Sequence, residues 1–160
     1  MFKVLLFSVM ALAAREEKAH THGSVHMSMA FEGKNGKIVM NLPSSAVYGF
    51  EYVARNAKDK KAKDAGLKKL EDKIGEMVAF DPSLKCEIKK EIFEIDQREN
   101  HSDIDAEFRV TCEKSPMGTS VIMNVPKVFT RIKSVQVDVV GEGVQKSQEI
   151  KKSGESIELK

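Results

Sequence analysis

The sequence predicts a single α+β domain, built mostly of antiparallel β-hairpins with one main amphipathic helix and one disulfide. Three observations predict this fold class. Several segments alternate apolar and polar residues, one longer segment has apolar residues at helical spacing, and two cysteines occupy positions that a hairpin would place opposite each other. Hairpins combined with a single main helix are typical of α+β domains, and about 150 residues suit one hydrophobic core.

The first predicted hairpin lies between residues 25 and 42. Apolar residues alternate along both strands, at Val25, Met27, Met29 and Phe31 and then at Ile38, Met40 and Leu42. The dipeptide Asn35-Gly36 is a strong two-residue turn signal, and a turn there places Phe31 opposite Met40. The apolar side chains then share the core face, whereas His26 is displayed on the other face. Core packing is therefore the better interpretation of Met27 and Met29, over ligation of cuprous copper.

A helix is predicted from about Ala57 to Ala79. Its apolar residues follow three-four spacing, at Leu67, Leu70, Ile74, Met77 and Val78. Its charged beginning, residues 58–64, is interpreted as a solvated helix face. Pro82 ends the unit.

The two cysteines are predicted to form a structural disulfide across a hairpin. Residues 86–95 and 103–112 both have strand patterns, with a possible bulge at Ile92-Phe93. A turn near residues 98–100 pairs positions whose numbers add to about 198, which places Cys86 opposite Cys112. A redox or thiolate metal pair is disfavoured, because the Cys-x-x-Cys spacing is missing.

Four further elements complete the predicted fold. Residues 121–125 and 135–139 have strand patterns, with a turn or short helix between them near Pro126. Two weaker strands are predicted at residues 144–150 and 156–159. Together with the hairpins, these strands supply the β part of the α+β domain.

Residues 1–13 have the plan of a secretory signal peptide, with Lys3 before an apolar core and Ala11-Leu12-Ala13 as a small-x-small cleavage pattern. The apolar run ends at Arg15, too early for a membrane span of about 20 residues. Residues 14–160 are therefore expected to be one exported domain without membrane insertion. This part carries 25 basic and 24 acidic residues, a net charge of +1, which gives no support for nucleic-acid binding.

Three of the four histidines lie close together at His20, His22 and His26, and the fourth is His101. Imidazole is a common ligand for zinc and copper, and residues two apart share one side of a strand. His20 and His22 are thus close enough to bind one metal ion. In the alternative interpretation they belong to a frayed arm and His101 is a turn residue.

The sequence contains no recognisable catalytic motif. His101 and Asp103 have the spacing of a base and its orienting carboxylate, but no serine or cysteine is marked as a nucleophile. No phosphate-binding loop or His-Glu-x-x-His motif occurs, and no carboxylate pair stands out. The protein is therefore expected not to be an enzyme.

Seven short motifs in one order resemble the ZrgA family of zinc-regulated periplasmic proteins. They are His20-x-His22-Gly, Phe31-Glu-Gly-x-x-Gly, Leu42-Pro-Ser-Ser-Ala, Gly49-Phe-Glu51, Cys86, His101-Ser-Asp103-Ile and Phe108-Arg-Val-Thr-Cys112. The resemblance spans residues 19–160. It implies periplasmic zinc binding in support of high-affinity zinc uptake, beside a binding-protein-dependent transporter.

The resemblance also implies a ligand set. His20 and His22 match the family's amino-terminal motif, His101 and Asp103 its His-Ser-Asp, and Glu51 the acid of Gly-Phe-Glu. On donor chemistry, His20 and His22 would bind the ion, and His101 would be the third ligand if the hairpin tip lies beside the amino-terminal strand. Asp103, Glu51 or His26 would complete the shell or orient a ligand.

This chain departs from the family pattern in two places. Tyr52 stands where the family often has histidine, and a tight turn at residues 97–100 replaces a long insertion rich in histidine and acids. One zinc site is therefore expected rather than multi-zinc storage, with copper a less favoured cargo. The expected partners are zinc and the binding protein of a zinc ABC transporter. The alternative is a non-metal interaction module that binds an envelope partner through a sheet edge or the basic helix face.

Overall fold

The computed structural model describes residues 23–160 and confirms an α+β domain made mostly of antiparallel strands. The strands are β1 Ser24–Glu32, β2 Asn35–Pro43, β3 Val78–Phe80, β4 Glu87–Arg98, β5 His101–Thr111, β6 Ser120–Met123, β7 Ser134–Gly141, β8 Val144–Ile150 and β9 Glu155–Glu158. The helices are α1 Ser44–Val47, α2 Ala57–Asp72, α3 Ile74–Met77 and α4 Val125–Val128, and a 3-10 turn spans Pro82–Leu84.

The strands form a six-stranded sheet in the order β4-β5-β2-β1-β7-β8 and a three-stranded sheet in the order β3-β6-β9. All neighbouring pairs are antiparallel except β1 and β7, which are parallel. Because β2 is antiparallel to both β1 and β5, these two strands run in the same direction. Both therefore begin at the same end of the larger sheet.

The core lies against one face of the larger sheet. Alternate residues of its central strands are buried there, including Met27, Met29, Met40 and Phe108, each at most 1% exposed. The predicted core packing of Met27 and Met29 is confirmed. His26 lies between Val25 and Met27 in the strand, so its side chain is exposed on the opposite face, as predicted.

The first hairpin turns two residues earlier than predicted. The turn is Gly33-Lys34, so Met29 pairs with Ile38 and Phe31 with Gly36. Gly33 adopts a φ of +56° at the first central position, where two-residue hairpin turns favour glycine. Gly36 lies within the strand, and a Cβ there would overlap the ring of Phe31. The offset is an even number of residues, so the core and polar faces are as predicted.

The predicted disulfide between Cys86 and Cys112 is confirmed. It joins the open end of the β4-β5 hairpin, next to the pair Glu87–Thr111. The bulge falls between Lys90 and Ile92 rather than at Ile92-Phe93, and it shifts the register by one residue. The turn is therefore Glu99-Asn100, and Arg98 pairs with His101.

The predicted helix from Ala57 to Ala79 is divided into three elements. α2 ends at Asp72, α3 is a separate short helix, and the last predicted residues form β3. The end of the predicted helix has a clear cause, because the backbone of Val78 and Ala79 pairs with Met123 and Ile122 of β6 instead of continuing the helix. Nothing in the structure explains the interruption at Lys73, which precedes α3.

The proposed signal peptide, residues 1–13, lies outside the described residues, as do His20 and His22. Within residues 23–160, no helix is long and apolar enough to cross a membrane. The longest, α2, has 16 residues.

Candidate functional site

Three of the predicted site residues are in contact at the end of the larger sheet where β1 and β5 begin. The Nδ1 atom of His101 lies 2.7 Å from Oε2 of Glu51, and its Nε2 atom lies 3.1 Å from Oδ2 of Asp103. The side chain of His101 is 44% exposed, whereas Glu51 and Asp103 are 17% and 13% exposed. One imidazole accessible to solvent is thus held between two carboxylates that are mostly buried.

Strand geometry accounts for the contact between His101 and Asp103. They are the first and third residues of β5, and residues two apart in a strand project to the same face. The Glu99-Asn100 turn places His101 at the tip of the hairpin, where its side chain remains partly exposed. Their sequence spacing is therefore sufficient to predict this part of the site.

Glu51 reaches the site from the segment that follows α1. Gly49 adopts a φ of +100° just after this helix, a conformation that glycine tolerates and other residues rarely adopt. The hydroxyl of Ser45 donates a hydrogen bond of 2.6 Å to Oε1 of Glu51. The side-chain amide of Gln97 donates to the backbone carbonyls of Glu51, at 2.8 Å, and His101, at 3.3 Å. The bond from Ser45 holds the Glu51 carboxylate, and the bonds from Gln97 hold the backbone on either side of the contact with His101.

The two carboxylates raise the pKa of the His101 imidazole. Partial burial alone would lower the pKa of His101, but the hydrogen bond with Glu51 and the negative charges of Asp103 and Glu51 outweigh that effect. The net result is a pKa above the ordinary value of 6.5. The protonated ring donates from both nitrogens, so it satisfies both carboxylates at once.

The arrangement is not a complete metal site by itself. Within residues 23–160, no group of three or more histidine, cysteine, aspartate or glutamate side chains is placed to hold one metal ion. The reason is geometric, because Nδ1 and Nε2 lie on different edges of the ring and each faces a different carboxylate. One ion can share His101 with Asp103 or with Glu51, but not with both.

His26, a further predicted ligand, is not brought to His101. It forms an ion pair of 2.8 Å with Asp138 of β7 on the same exposed sheet face. In register, His26 pairs with Asn41, and Asn41 in turn pairs with Asp105. Strand β2 therefore lies between β1 and β5, and the tip of the β4-β5 hairpin does not lie directly beside the amino-terminal strand.

The point where the chain enters β1 nevertheless contacts residues 133–134, in the same segment as Arg131, which contacts the site. The carbonyl of Gly23 accepts hydrogen bonds from the amides of Lys133 and Ser134, at 2.7 and 3.2 Å. A Cβ on Gly23 would lie 3.0 Å from the carbonyl oxygen of Arg131. The guanidinium of Arg131 donates to the carbonyl of Ser45 at 3.2 Å. Ser45 then bonds Glu51, which holds His101.

Sequence reasoning did not identify Ser45, Gln97 and Arg131 as parts of this site. Ser45 lies within the motif Leu42-Pro-Ser-Ser-Ala, which is part of the family resemblance, but that motif does not indicate a contact with Glu51. Gln97 is a polar residue on the inner face of β4, where its neighbours in phase are Phe93 and Ile95. A polar residue on an otherwise apolar strand face was the one feature of the sequence that could have indicated a role for Gln97.

A family model described as ZrgA family zinc uptake protein matches residues 19–159. The chain belongs to the ZrgA family of zinc uptake proteins. The match includes His20, His22, Glu51, His101 and Asp103, and it spans nearly all of the sequence. The resemblance to the ZrgA family is thereby confirmed, and with it a connection to zinc uptake. A comparison with curated protein sequences gives no match.

Proposed function

We propose that this ZrgA-family protein is a periplasmic zinc-binding protein that supports high-affinity zinc uptake. The zinc ion, its cargo, is held by His20, His22 and His101, with Asp103 in the same shell. The observation that carries the proposal is the position of His101 between two carboxylates, at the end of the sheet where the amino-terminal histidine segment joins β1.

The donor chemistry suits zinc. Zinc prefers imidazole nitrogen and carboxylate oxygen among such ligands, usually four in tetrahedral arrangement at about 2.0–2.2 Å. His101 and Asp103 offer one of each, and both cysteines are consumed by the disulfide. A site with imidazole and carboxylate but no thiolate or thioether favours zinc over cuprous copper.

Glu51 and Asp103 have different proposed roles. Both carboxylate oxygens of Glu51 are engaged, one by Ser45 and the other by Nδ1 of His101. A carboxylate that accepts the second N–H of a ligand histidine is the usual support for a zinc-bound imidazole. We therefore assign Nε2 and Asp103 to the ion and Glu51 to the orientation of the ring.

The amino-terminal segment is long enough to supply the remaining ligands. Neighbouring strands lie about 4.8 Å apart, so β1 and β5, which flank β2, are separated by about 10 Å. An extended residue spans up to about 3.5 Å, and His22 and His20 precede Gly23 by one and three residues. Three extended residues span about 10 Å, so chain length permits His20 to reach the ion bound at His101, whereas His22, one residue from Gly23, depends on the length of its side chain as well.

The site geometry favours binding over catalysis, and we propose that the protein is not an enzyme. Ser45 is near His101, but its hydroxyl bonds Glu51 rather than the imidazole. Both ring nitrogens of His101 face carboxylates. A serine nucleophile needs a base within hydrogen-bonding reach to take its proton, and this arrangement does not provide one.

Export and a receiving partner complete the proposal. Residues 1–13 act as the signal peptide, and residues 14–160 fold in the periplasm, where a disulfide such as Cys86–Cys112 forms and persists. The protein passes zinc to the binding protein of a zinc ABC transporter. The family's link to zinc uptake supports this role.

Calorimetric titration of zinc into four forms of the protein tests the site. The forms are the wild type, His20→Ala/His22→Ala, His101→Ala and His26→Ala. We expect one site in the wild type, weaker binding by at least about tenfold in the first two variants, and unchanged affinity in His26→Ala, the matched exposed histidine. Equal affinity in the wild type and in His101→Ala would exclude the proposed site.

A further inference from the structure

A groove with a volume of about 510 Å³ lies between the segment after α1 and the first turns of α2. Tyr48, Phe50 and Tyr52 line one side, and the centroids of successive rings are 4.7 Å apart. The guanidinium of Arg55 lies 4.2 Å above the centroid of Tyr52 and extends this stack. Val53, Ala54 and Ile95 complete the apolar part of the lining. The groove thus has a preformed aromatic wall.

The opposite side of the groove is positively charged. Lys60 and Lys63 of α2 line it, together with one acid, Asp64. Residues 55–63 contain five basic residues and a single acid, Asp59. The carboxylate of Asp59 accepts the backbone N–H of Arg55 and so belongs to the cap of α2. The surroundings of the groove therefore carry a clear excess of positive charge.

These lysines differ from those later in the same region. Lys68 and Lys73 form ion pairs with Asp72 and Glu76. Among residues 23–160, no ion pair is formed by the lysines that begin α2, which are Lys58, Lys60, Lys61 and Lys63. Their charge is available to a partner.

We propose that this groove docks an acidic peptide segment of a protein partner, anchored by an aromatic or large apolar side chain. The aromatic wall receives the anchor, and the lysines of α2 attract the acidic residues on either side of it. Val53, which also lines the groove, is 63% exposed. A groove lined by aromatic rings and an exposed valine suits the apolar side chain of a polypeptide better than a small anion.

The groove adjoins the candidate zinc site. Phe50 and Tyr52 line the groove, whereas Glu51, between them, holds His101. Gln97 lines the groove as well and donates to the carbonyl of Glu51. A docked segment therefore contacts the neighbours of the residue that orients the imidazole. The partner that fits this position is the one that receives zinc. This identification of the partner rests on the proposed function, whereas docking of an acidic segment does not.

The test uses metal-free protein labelled with ¹⁵N and the peptide acetyl-Asp-Glu-Asp-Phe-Asp-Glu-Asp-amide. We expect saturable shifts of backbone amides confined to residues 48–64 and 95–97. A peptide with serine in place of phenylalanine should bind more weakly, and one with lysine in place of every acid should not bind. Absence of saturable shifts in the groove, or equal shifts with the lysine peptide, overturns the proposal.

Charge-matched variants distinguish peptide binding in the groove from attraction by the net charge of the protein. Lys60→Glu/Lys63→Glu should weaken peptide binding by at least about tenfold, because it reverses the charge facing the acidic residues. Lys34→Glu/Lys114→Glu, which changes the net charge equally on exposed residues outside the groove, should retain most of the binding. Val53→Ser should weaken it while leaving the fold intact. Equal loss in both double variants would mean attraction by net charge alone.

The link to zinc is measured separately. Saturating peptide should lower the zinc affinity of the protein by at least about threefold, since it contacts both neighbours of Glu51. If the peptide binds and zinc affinity is unchanged, the groove is not the transfer surface. If the peptide binds and zinc does not bind at all, docking stands and the proposed zinc function fails.

Discussion

The Nδ1 atom of His101 and the Oε2 atom of Glu51 lie 2.7 Å apart, although fifty positions separate these residues in the chain. His101 begins a strand of the larger sheet, and Glu51 belongs to the segment that follows the short helix after β2. Ser45 and Gln97 hold Glu51 from two further elements. The orientation of the imidazole is thus determined by the fold itself, which reduces the reorganisation needed to bind an ion.

Substitution of the two carboxylates should separate their roles. Asp103→Asn removes the charge of the oxygen ligand that we propose and should abolish tight zinc binding. Glu51→Gln keeps the shape but loses the charge that supports the ring, and should raise the Kd by about 10–100-fold. A chelator competition assay measures both. Asp105→Asn, two residues along the same face, is the control and should leave the Kd unchanged. Equal, small effects of all three would contradict the assignment.

Stability should depend on pH through His101. Its pKa in the folded chain is above 6.5, because Glu51 and Asp103 favour the protonated ring more than burial opposes it. The resulting contribution to the free energy of unfolding is complete below pH 6.5, the ordinary value, and is lost as pH rises through the folded-state pKa.

Urea unfolding of the wild type and His101→Ala in metal-free buffer measures this contribution. The difference between them should shrink as pH increases, and an NMR titration of the His101 ring should give a pKa that falls in Glu51→Gln. A difference that stays constant between about pH 5 and pH 9 would refute the linkage. Zinc competes with the same proton, so zinc affinity should decline as the solution is acidified.

Gly23 should affect both stability and zinc binding. It adopts a φ of +88°, and an added Cβ would lie 3.0 Å from the carbonyl oxygen of Arg131. Gly23→Ala should therefore cost about 1 kcal/mol or more in the free energy of unfolding and redirect the histidine segment that precedes it.

Gly33→Ala is the matched control for that substitution. Gly33 also has positive φ, at +56°, but a Cβ there meets no atom within 4 Å. Both variants should lose stability in urea unfolding, whereas only Gly23→Ala should weaken zinc binding in calorimetry. If both weaken zinc binding equally, the approach of the segment through Gly23 has no part in the site.

The disulfide should contribute to stability but not to zinc affinity. Cys86 and Cys112 are 26 positions apart, and in the chain-entropy model closing such a loop contributes roughly 3–4 kcal/mol. Urea unfolding of Cys86→Ala/Cys112→Ala should show a loss of that order. The bond lies at the end of the hairpin opposite His101, so the folded variant should bind zinc like the wild type. A large loss of zinc affinity in the fully folded double variant would contradict the expectation that the disulfide affects stability alone.

Local patterns predicted the hairpins because each depends on residues close in sequence. In the β4-β5 hairpin, the predicted strand pairing is correct between the disulfide and the bulge. In the first hairpin, the predicted turn is wrong, but the same residues face the core as predicted. Asn35-Gly36 carries a strong turn signal, but Gly33 occupies the turn and the ring of Phe31 covers Gly36. Two turn signals in neighbouring positions compete, and side-chain packing decides between them.

Long-range pairing was not predictable in the same way. The parallel contact of β1 with β7 joins strands about 110 positions apart, and no local pattern encodes it. The contact of His101 with Asp103 follows from strand spacing, whereas its contact with Glu51 was indicated only by the family resemblance. Ser45 and Gln97 were missed because their roles depend on which segments the fold brings together. Zinc ligation by His20 and His22 remains a prediction.

The two-residue turn Glu99-Asn100 has an evolutionary consequence. It projects from the end of the sheet directly before His101, so added residues there would extend away from the core and leave the strand pairs undisturbed. An insertion rich in histidine would start beside His101, the ligand we propose. If that proposal holds, the number of zinc ions bound could change through this one loop, while the fold that positions His101 stays the same.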